Sequence, residues 1–125
     1  MTDLKPSQPG AVDAIAYNRA SSALQRAFAL LQQRVYPEPD ESEPTEVAPL
    51  HDPVFDAFSF YICTHDRVVS YAAVVIKTIE HGGDSFEIGG LSCVMTDPDC
   101  QGQGLGLRTV AAATRCMERS HLDIG

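Results

Sequence analysis

The sequence predicts an α+β domain: a helical N-terminal region, three antiparallel strands, and a glycine-rich turn that opens a further helix. Three observations carry this. Apolar residues recur at spacings of three and four before Val35 and again after Gly106, the period of a helix face. Between Phe58 and Thr96 the period drops to two or the apolar run becomes continuous, as in strands. Gly102, Gly104 and Gly106 stand where the pattern changes back from strand to helix. At 125 residues the chain is one domain with a core and no room for a second.

Residues 1–10 hold two prolines and a glycine and read as a loose tail. Ala11 to Val35 is helical, with Ala20, Leu24, Ala27, Leu31 and Val35 on one face. Ser22 and Gln25 have the spacing of a capping box, so two short helices broken near Ser21 are expected. No strand is evident before this region. Residues 37–53 carry five prolines and six acids with no Lys or Arg, the composition of a loop that neither propagates a helix nor buries much surface. Such a loop is either an inert linker or an acidic lip over a site for a cationic substrate.

Phe58, Phe60 and Ile62 alternate with Ser59, Tyr61 and Cys63, a strand with one buried face. His65-Asp66-Arg67 makes a turn, and Val68 to Ile79 is a second strand, apolar enough for burial on both faces. His81 to Ser85 is a turn around Gly82-Gly83, and Phe86 to Thr96 is a third strand, weakened at Gly89-Gly90, where a bulge or a close backbone approach is expected. Asp97 to Cys100 breaks the chain. Leu107, Val110, Ala113 and Met117 then share a helix face to about Ser120, and His121 to Gly125 resembles the start of another strand.

Seventeen acids against nine bases give a formal charge of −8, which argues against nucleic-acid or anionic-membrane partners, since both need a cationic face. The charge is compatible with mere solubility, or with attraction of small amines. No membrane span or signal peptide is visible. Cys63, Cys93, Cys100 and Cys116 form no C-x-x-C pair, so neither a metal site nor a disulfide framework is expected, and a reducing cytoplasm is the simplest home. As nucleophiles, Cys93 and Cys100 lack a paired histidine in the sequence pattern and read as structural.

The glycine turn carries the chemistry. The first amides of a helix have no intrahelical partner and sit at the positive end of its dipole. Glycines there let the backbone approach a phosphate. A P-loop is excluded because no Lys follows the glycines. A dinucleotide fingerprint has an acid in place at Asp123, but Leu107 stands where the third glycine belongs and the strands upstream are antiparallel.

Gln101, Gly104 and Gly106 match Q/R-x-x-G-x-G/A, with Thr96-Asp97-Pro98-Asp99-Cys100 in the spacing of the usual hydrophobic-x-Pro-x-x lead-in, Thr96 replacing the commoner valine. In this the chain resembles the GNAT superfamily of N-acetyltransferases over about residues 55–125. A weaker resemblance, from Tyr71 to Gly106, points to the aminoglycoside 2'-N-acetyltransferase branch. The resemblance implies a mixed sheet and acetyl-CoA as cosubstrate, without a metal. It implies that the backbone of Val94, Met95 and Thr96 pairs with the pantetheine arm. The amides from Gly102 through Gln103, Gly104, Leu105 and Gly106 to Leu107 would surround the pyrophosphate, beside Gln101. It further implies transfer of an acetyl group to a primary amine of a small cationic acceptor, aminoglycoside- or polyamine-like. A carboxylate base would project from the strand before the turn, where the sequence offers Glu87, with His81 as a turn residue that is a poorer candidate. The C-terminal half of that fold, including its tyrosine acid, is absent, so a fragment, a homodimer or completion by another chain is expected. A catalytically silent acyl-CoA-binding module is the alternative reading.

Overall fold

A computed structural model describes residues 11–37, 49–64 and 67–120. The loose tail, most of the acidic loop, the His65-Asp66 turn and the strand expected after His121 lie outside the described residues. The chain runs β1 (Asp13–Ala16), α1 (Ser22–Val35), β2 (Phe58–Thr64), β3 (Arg67–His81), β4 (Asp84–Thr96) and α2 (Leu105–Arg119). Short 3-10 turns occupy Tyr17–Arg19, Pro53–Phe55 and Pro98–Cys100. The strands form one sheet in the order β1-β2-β3-β4, each antiparallel to its neighbour. None of the helices among the described residues is long and apolar enough to cross a membrane.

The two helices cover opposite faces of the sheet. Leu24, Ala27, Phe28 and Leu31 of α1 pack on Cys63, Tyr71, Ala73 and Met95. Ala113 of α2, with Val110, Ala112, Cys116 and Met117 around it, packs on Phe60, Ala72 and Val74. This is why Val68 to Val74 are all buried: alternate side chains of β3 meet a different helix. β2 is covered likewise on both sides, with Ser59, Phe60, Ile62 and Cys63 all buried, where the alternation predicted one buried face.

Three local expectations are corrected. The segment before α1 is not helical from Ala11: Asp13–Ala16 is a strand paired with Phe58–Tyr61, so an initial strand exists. Its four residues are too few for periodicity to distinguish from a helix of Ala and Ile. The cap of α1 is Ser21, whose hydroxyl accepts from the Leu24 amide at 3.1 Å. Gln25 instead donates back to the carbonyls of Tyr17 at 2.9 Å and Ala20 at 3.3 Å. Gly89 and Gly90 pair regularly with Ile76 and Val75, and the bulge lies further on, where Cys93 and Val94 together oppose Ala72. Cys93 takes the positive φ of 54° that the extra residue demands. The hairpin at Gly82-Gly83 is as expected, both glycines having positive φ, the requirement of a tight two-residue turn.

Candidate acyl-CoA groove and the pocket behind it

β4 ends on a fixed point. The Asp97 amide donates to the Val69 carbonyl at 2.8 Å, and one carboxylate oxygen of Asp97 accepts from the Asp99 amide at 2.9 Å. The other oxygen takes the Arg34 Nε–H at 2.8 Å, with Arg67 at 3.6 Å. Arg34 also donates to the Val68 carbonyl at 2.9 Å, tying the end of α1 to the sheet. Burial alone would raise the Asp97 carboxyl. The Asp99 amide, the Arg34 hydrogen bond and the charges of Arg67 and Arg34 outweigh it, so its pKa is lowered.

From there the chain passes Pro98–Cys100 and the extended Gln101, then turns through Gly102 (φ 86°) and Gly104 (φ 76°) into α2. Gly104 is the N-cap and has no side chain with which to close the first amides of the helix, from Leu105 onward. Gly106 serves differently: a Cβ there would stand 2.9 Å from Thr96 Oγ1, so its absence lets α2 close on the end of β4. Buried hydroxyls fasten that contact. Thr109 Oγ1 is 3.1 Å from Ser70 Oγ and donates to the Gly106 carbonyl at 3.0 Å.

A groove of about 460 Å³ results, lined by Val94, Met95 and Thr96 on one side and by Gln101, Gly102, Gly104, Leu105 and Gly106 on the other. Eight of the ten positions predicted for the cofactor thus meet in one concavity; Gln103 and Leu107 do not line it. Leu107, placed on the buried face of α2 by spacing, is 75% exposed. The first turn meets the sheet through Gly106 and Thr109, against Thr96 and Ser70, and Leu107 is rotated away from that contact. Val35 and Tyr36, at the end of α1, and Cys100 complete the groove; the two α1 residues carry no sequence signal for this role. β4 is the edge strand of the described sheet, so its outer main chain faces the groove without a strand beside it.

Behind β4 lies a second cavity of similar volume, about 460 Å³, on the α1 face. Leu50, Phe55, Val75 and Ile88 supply apolar wall, Gly90 and Leu91 contribute main chain, and His51, Asp52, Lys77, Ser92 and Cys93 supply polar groups. The bulge divides the two spaces: Cys93 lines this pocket, and the adjacent Val94 lines the groove. His51 carries no sequence signal, since it stands in proline-rich loop between Pro49 and Pro53. It is 8% exposed, and Nε2 lies 2.8 Å from the Tyr71 hydroxyl, itself 2.6 Å from Ser59 Oγ. The ring stands edge-on to Tyr17 at 4.8 Å between centroids. Burial lowers the His51 pKa and raises that of Tyr71, the latter partly offset by Ser59.

Glu87 is elsewhere. It is exposed, pairs with Thr78, and shares the face of Ala72 and Val74, opposite to that of its pocket-lining neighbour Ile88. It lines neither the groove nor the pocket behind it. His81 is exposed at the far hairpin, pairing with Asp84. Cys63 is buried, its thiol pushed up to about 11 by burial and the charge of Asp13, which makes it inert. Among the described residues no three His, Cys, Asp or Glu side chains gather as a metal site.

With this geometry the chain superimposes on solved acyltransferases. An acyl-CoA N-acyltransferase from Pseudomonas aeruginosa matches at TM-score 0.66 and 20% identity, over 91% of this chain and 75% of that one. An acetyltransferase from Trypanosoma brucei matches at 0.65 and 15%, covering 91% and 80%. The fold is that of the GNAT N-acyltransferases. An aminoglycoside acetyltransferase from an uncultured soil metagenomic sample, in complex with sisomicin, matches at 0.62 and 13%, covering 91% and 73%. Identities this low mean that the GNAT fold survives here on its architecture: an antiparallel sheet ending in an edge strand, then a glycine turn into a helix. No family model and no curated protein matches the sequence.

Proposed function

We propose that the chain binds acyl-CoA, acetyl-CoA in the simplest case, and transfers its acyl group to a primary amine of a small molecule. The observation that carries this reading is one groove bounded by the open edge of β4 and the uncapped start of α2. Edge-strand main chain supplies alternating donors and acceptors for the amides of a pantetheine arm. The amides at the start of α2, approached past Gly102 and Gly104, supply donors and a favourable dipole for the pyrophosphate. Both contacts use backbone, so they need glycine and an open edge more than any particular side chain. The pocket behind the bulge is the place for the acceptor, because the acyl carbon would lie beside Val94 and the amine must reach it from across β4.

The formal charge of −8 favours a cationic acceptor in encounter. The reading of the acidic loop as a lip for a cationic acceptor rests chiefly on Glu38, Asp40, Glu41, Glu43 and Glu46, which lie outside the described residues. The test is ligand stabilisation. At a hundredfold excess over Kd, acetyl-CoA should add about 2.7 kcal/mol to the folded state. NAD should add nothing. Thiol release from acetyl-CoA on addition of amines separates the enzyme from a silent binding module. Absence of any thermal shift with acetyl-CoA removes both readings.

A further inference from the structure

We infer that the pocket behind the β4 bulge accepts a primary monoamine carried on an apolar body, and that His51 takes the proton from its ammonium group. This rests on the acyltransferase reading of the groove. Four apolar side chains, Leu50, Phe55, Val75 and Ile88, with the main chain at Gly90 and Leu91, give the pocket an apolar wall that suits a hydrocarbon or aromatic body. The one cationic side chain in the lining is Lys77, held over the Phe55 ring at 5.0 Å. A second ammonium group on the acceptor would meet that charge. Polyamines are therefore disfavoured beside Lys77, while the single carboxylate in the same lining, Asp52, offers counter-charge for one ammonium group.

His51 is the lining side chain able to hold a proton near neutral pH. Its surroundings are the Tyr17 ring and the Tyr71 and Ser59 hydroxyls beneath it, with Asp52, Lys77 and Cys93 in the same pocket wall. Asp52 spends one carboxylate oxygen on the Val54 amide at 3.0 Å. In the tautomer whose Nε2–H donates to the Tyr71 oxygen, with Tyr71 donating to Ser59, Nδ1 keeps the lone pair that accepts the proton. Burial lowers its pKa, so the ring is neutral and ready to accept at pH 7.

The ammonium gives one proton to Nδ1, and the freed amine lone pair forms the N–C bond to the thioester carbon. The C–S bond breaks with its electron pair on sulfur. The second nitrogen proton ends on the departing thiolate, and His51 returns the first to solvent. The products are an amide, the CoA thiol and one proton.

The experiment uses the full chain with acetyl-CoA and two amine panels, aryl- or alkyl-monoamines and polyamines, read by thiol release across pH, with acetyl-CoA affinity measured separately. Wild type should turn over monoamines at least about tenfold better than polyamines in kcat/KM, with kcat falling on the acid side. His51→Gln should lower kcat by about 10²-fold or more and abolish that acid limb, with acetyl-CoA affinity unchanged. Tyr71→Phe, which removes the acceptor for Nε2–H, should move the limb to lower pH, and it decides the matter if His51→Gln does not fold. The inference is overturned if acetyl-CoA binds but monoamines are not acetylated or polyamines are preferred. It is equally overturned if His51→Gln keeps kcat and its acid limb, if Tyr71→Phe leaves the limb in place, or if Glu87→Gln abolishes it instead. Failure of wild type to bind acetyl-CoA refutes the acyltransferase reading itself, a separate outcome.

Discussion

Replacing Asp97 by asparagine changes almost no volume but removes the charge on which the end of β4 is fixed. The side-chain carbonyl of asparagine keeps the bond from the Asp99 amide, 2.9 Å in the wild type. Its amide group, however, faces the Arg34 Nε–H at 2.8 Å, donor against donor, and the Arg67 guanidinium at 3.6 Å loses its counter-charge. Breaking a fully buried pair costs about 3–5 kcal/mol. Here only the carboxylate is buried, at 1% exposure, while Arg34 and Arg67 are 29% and 44% exposed and recover solvent. That discount leaves about 2–3 kcal/mol. For a chain of this length the unfolding entropy converts each kcal/mol into roughly 4 °C, so Tm at pH 7 should fall by about 8–12 °C. The pH dependence carries a sign. The folded pKa of Asp97 is lowered, so its contribution is complete above the ordinary aspartate value near 4 and is lost as pH falls through the folded value. The gap between wild type and variant should therefore narrow in acid. Calorimetry at pH 7 and in a series below about pH 4 checks both statements. A Tm loss under about 3 °C at pH 7, or a gap that widens on acidification, would refute the assignment of Asp97 as an ionised anchor.

The glycines give sharper tests of the groove. Gly104→Ala meets open space but must adopt a φ of 76°, so it should cost about 1–2 kcal/mol and weaken acetyl-CoA at least about tenfold, read by calorimetric titration. Gly106→Ala lies in helix, where alanine is ordinarily favoured by about 0.5–1 kcal/mol. Its Cβ would stand 2.9 Å from Thr96 Oγ1, so it should instead destabilise, and adding Thr96→Ala should restore Tm. For His51 the folded pKa is lowered, so its stability contribution is complete above about 6.5 and declines as pH falls below that. His51→Gln should flatten the Tm–pH curve between about pH 6.5 and 5, as a thermal melt series would show.

What the sequence made legible was whatever depends on local pattern. The periodicity of Ala20 to Val35 reports a helix face because every one of those residues meets the same sheet surface. The glycine turn is legible because positive φ and close approach leave residue-type signatures at Gly102, Gly104 and Gly106. The position of the bulge is not legible by the same local signs. Gly89-Gly90 advertises permissive backbone, yet the strained residue is Cys93, whose φ of 54° is imposed by the register between β3 and β4. His51 was invisible because its partners Tyr71 and Ser59 stand 20 and 12 positions away from their neighbours in that chain of hydrogen bonds. Arg34 and Asp97, 63 positions apart, are a pair that only the packed fold can bring together.

The bulge at Cys93 and Val94 would also let one strand serve both ligands of the proposed reaction. In a regular strand, adjacent residues point to opposite faces and the open edge presents one uniform ladder. Two residues opposite Ala72 instead of one break that ladder, turning Cys93 toward the pocket while Val94 stays with the groove. The positive φ at Cys93 costs of order 1–3 kcal/mol for a residue other than glycine, and it persists because the flanking residues pair with β3 and Cys93 packs against the core. A strand without the bulge would continue its ladder past Val94 and leave no interruption through which an amine on the α1 face reaches a thioester on the edge. The strain therefore sits where the two halves of the proposed reaction have to meet.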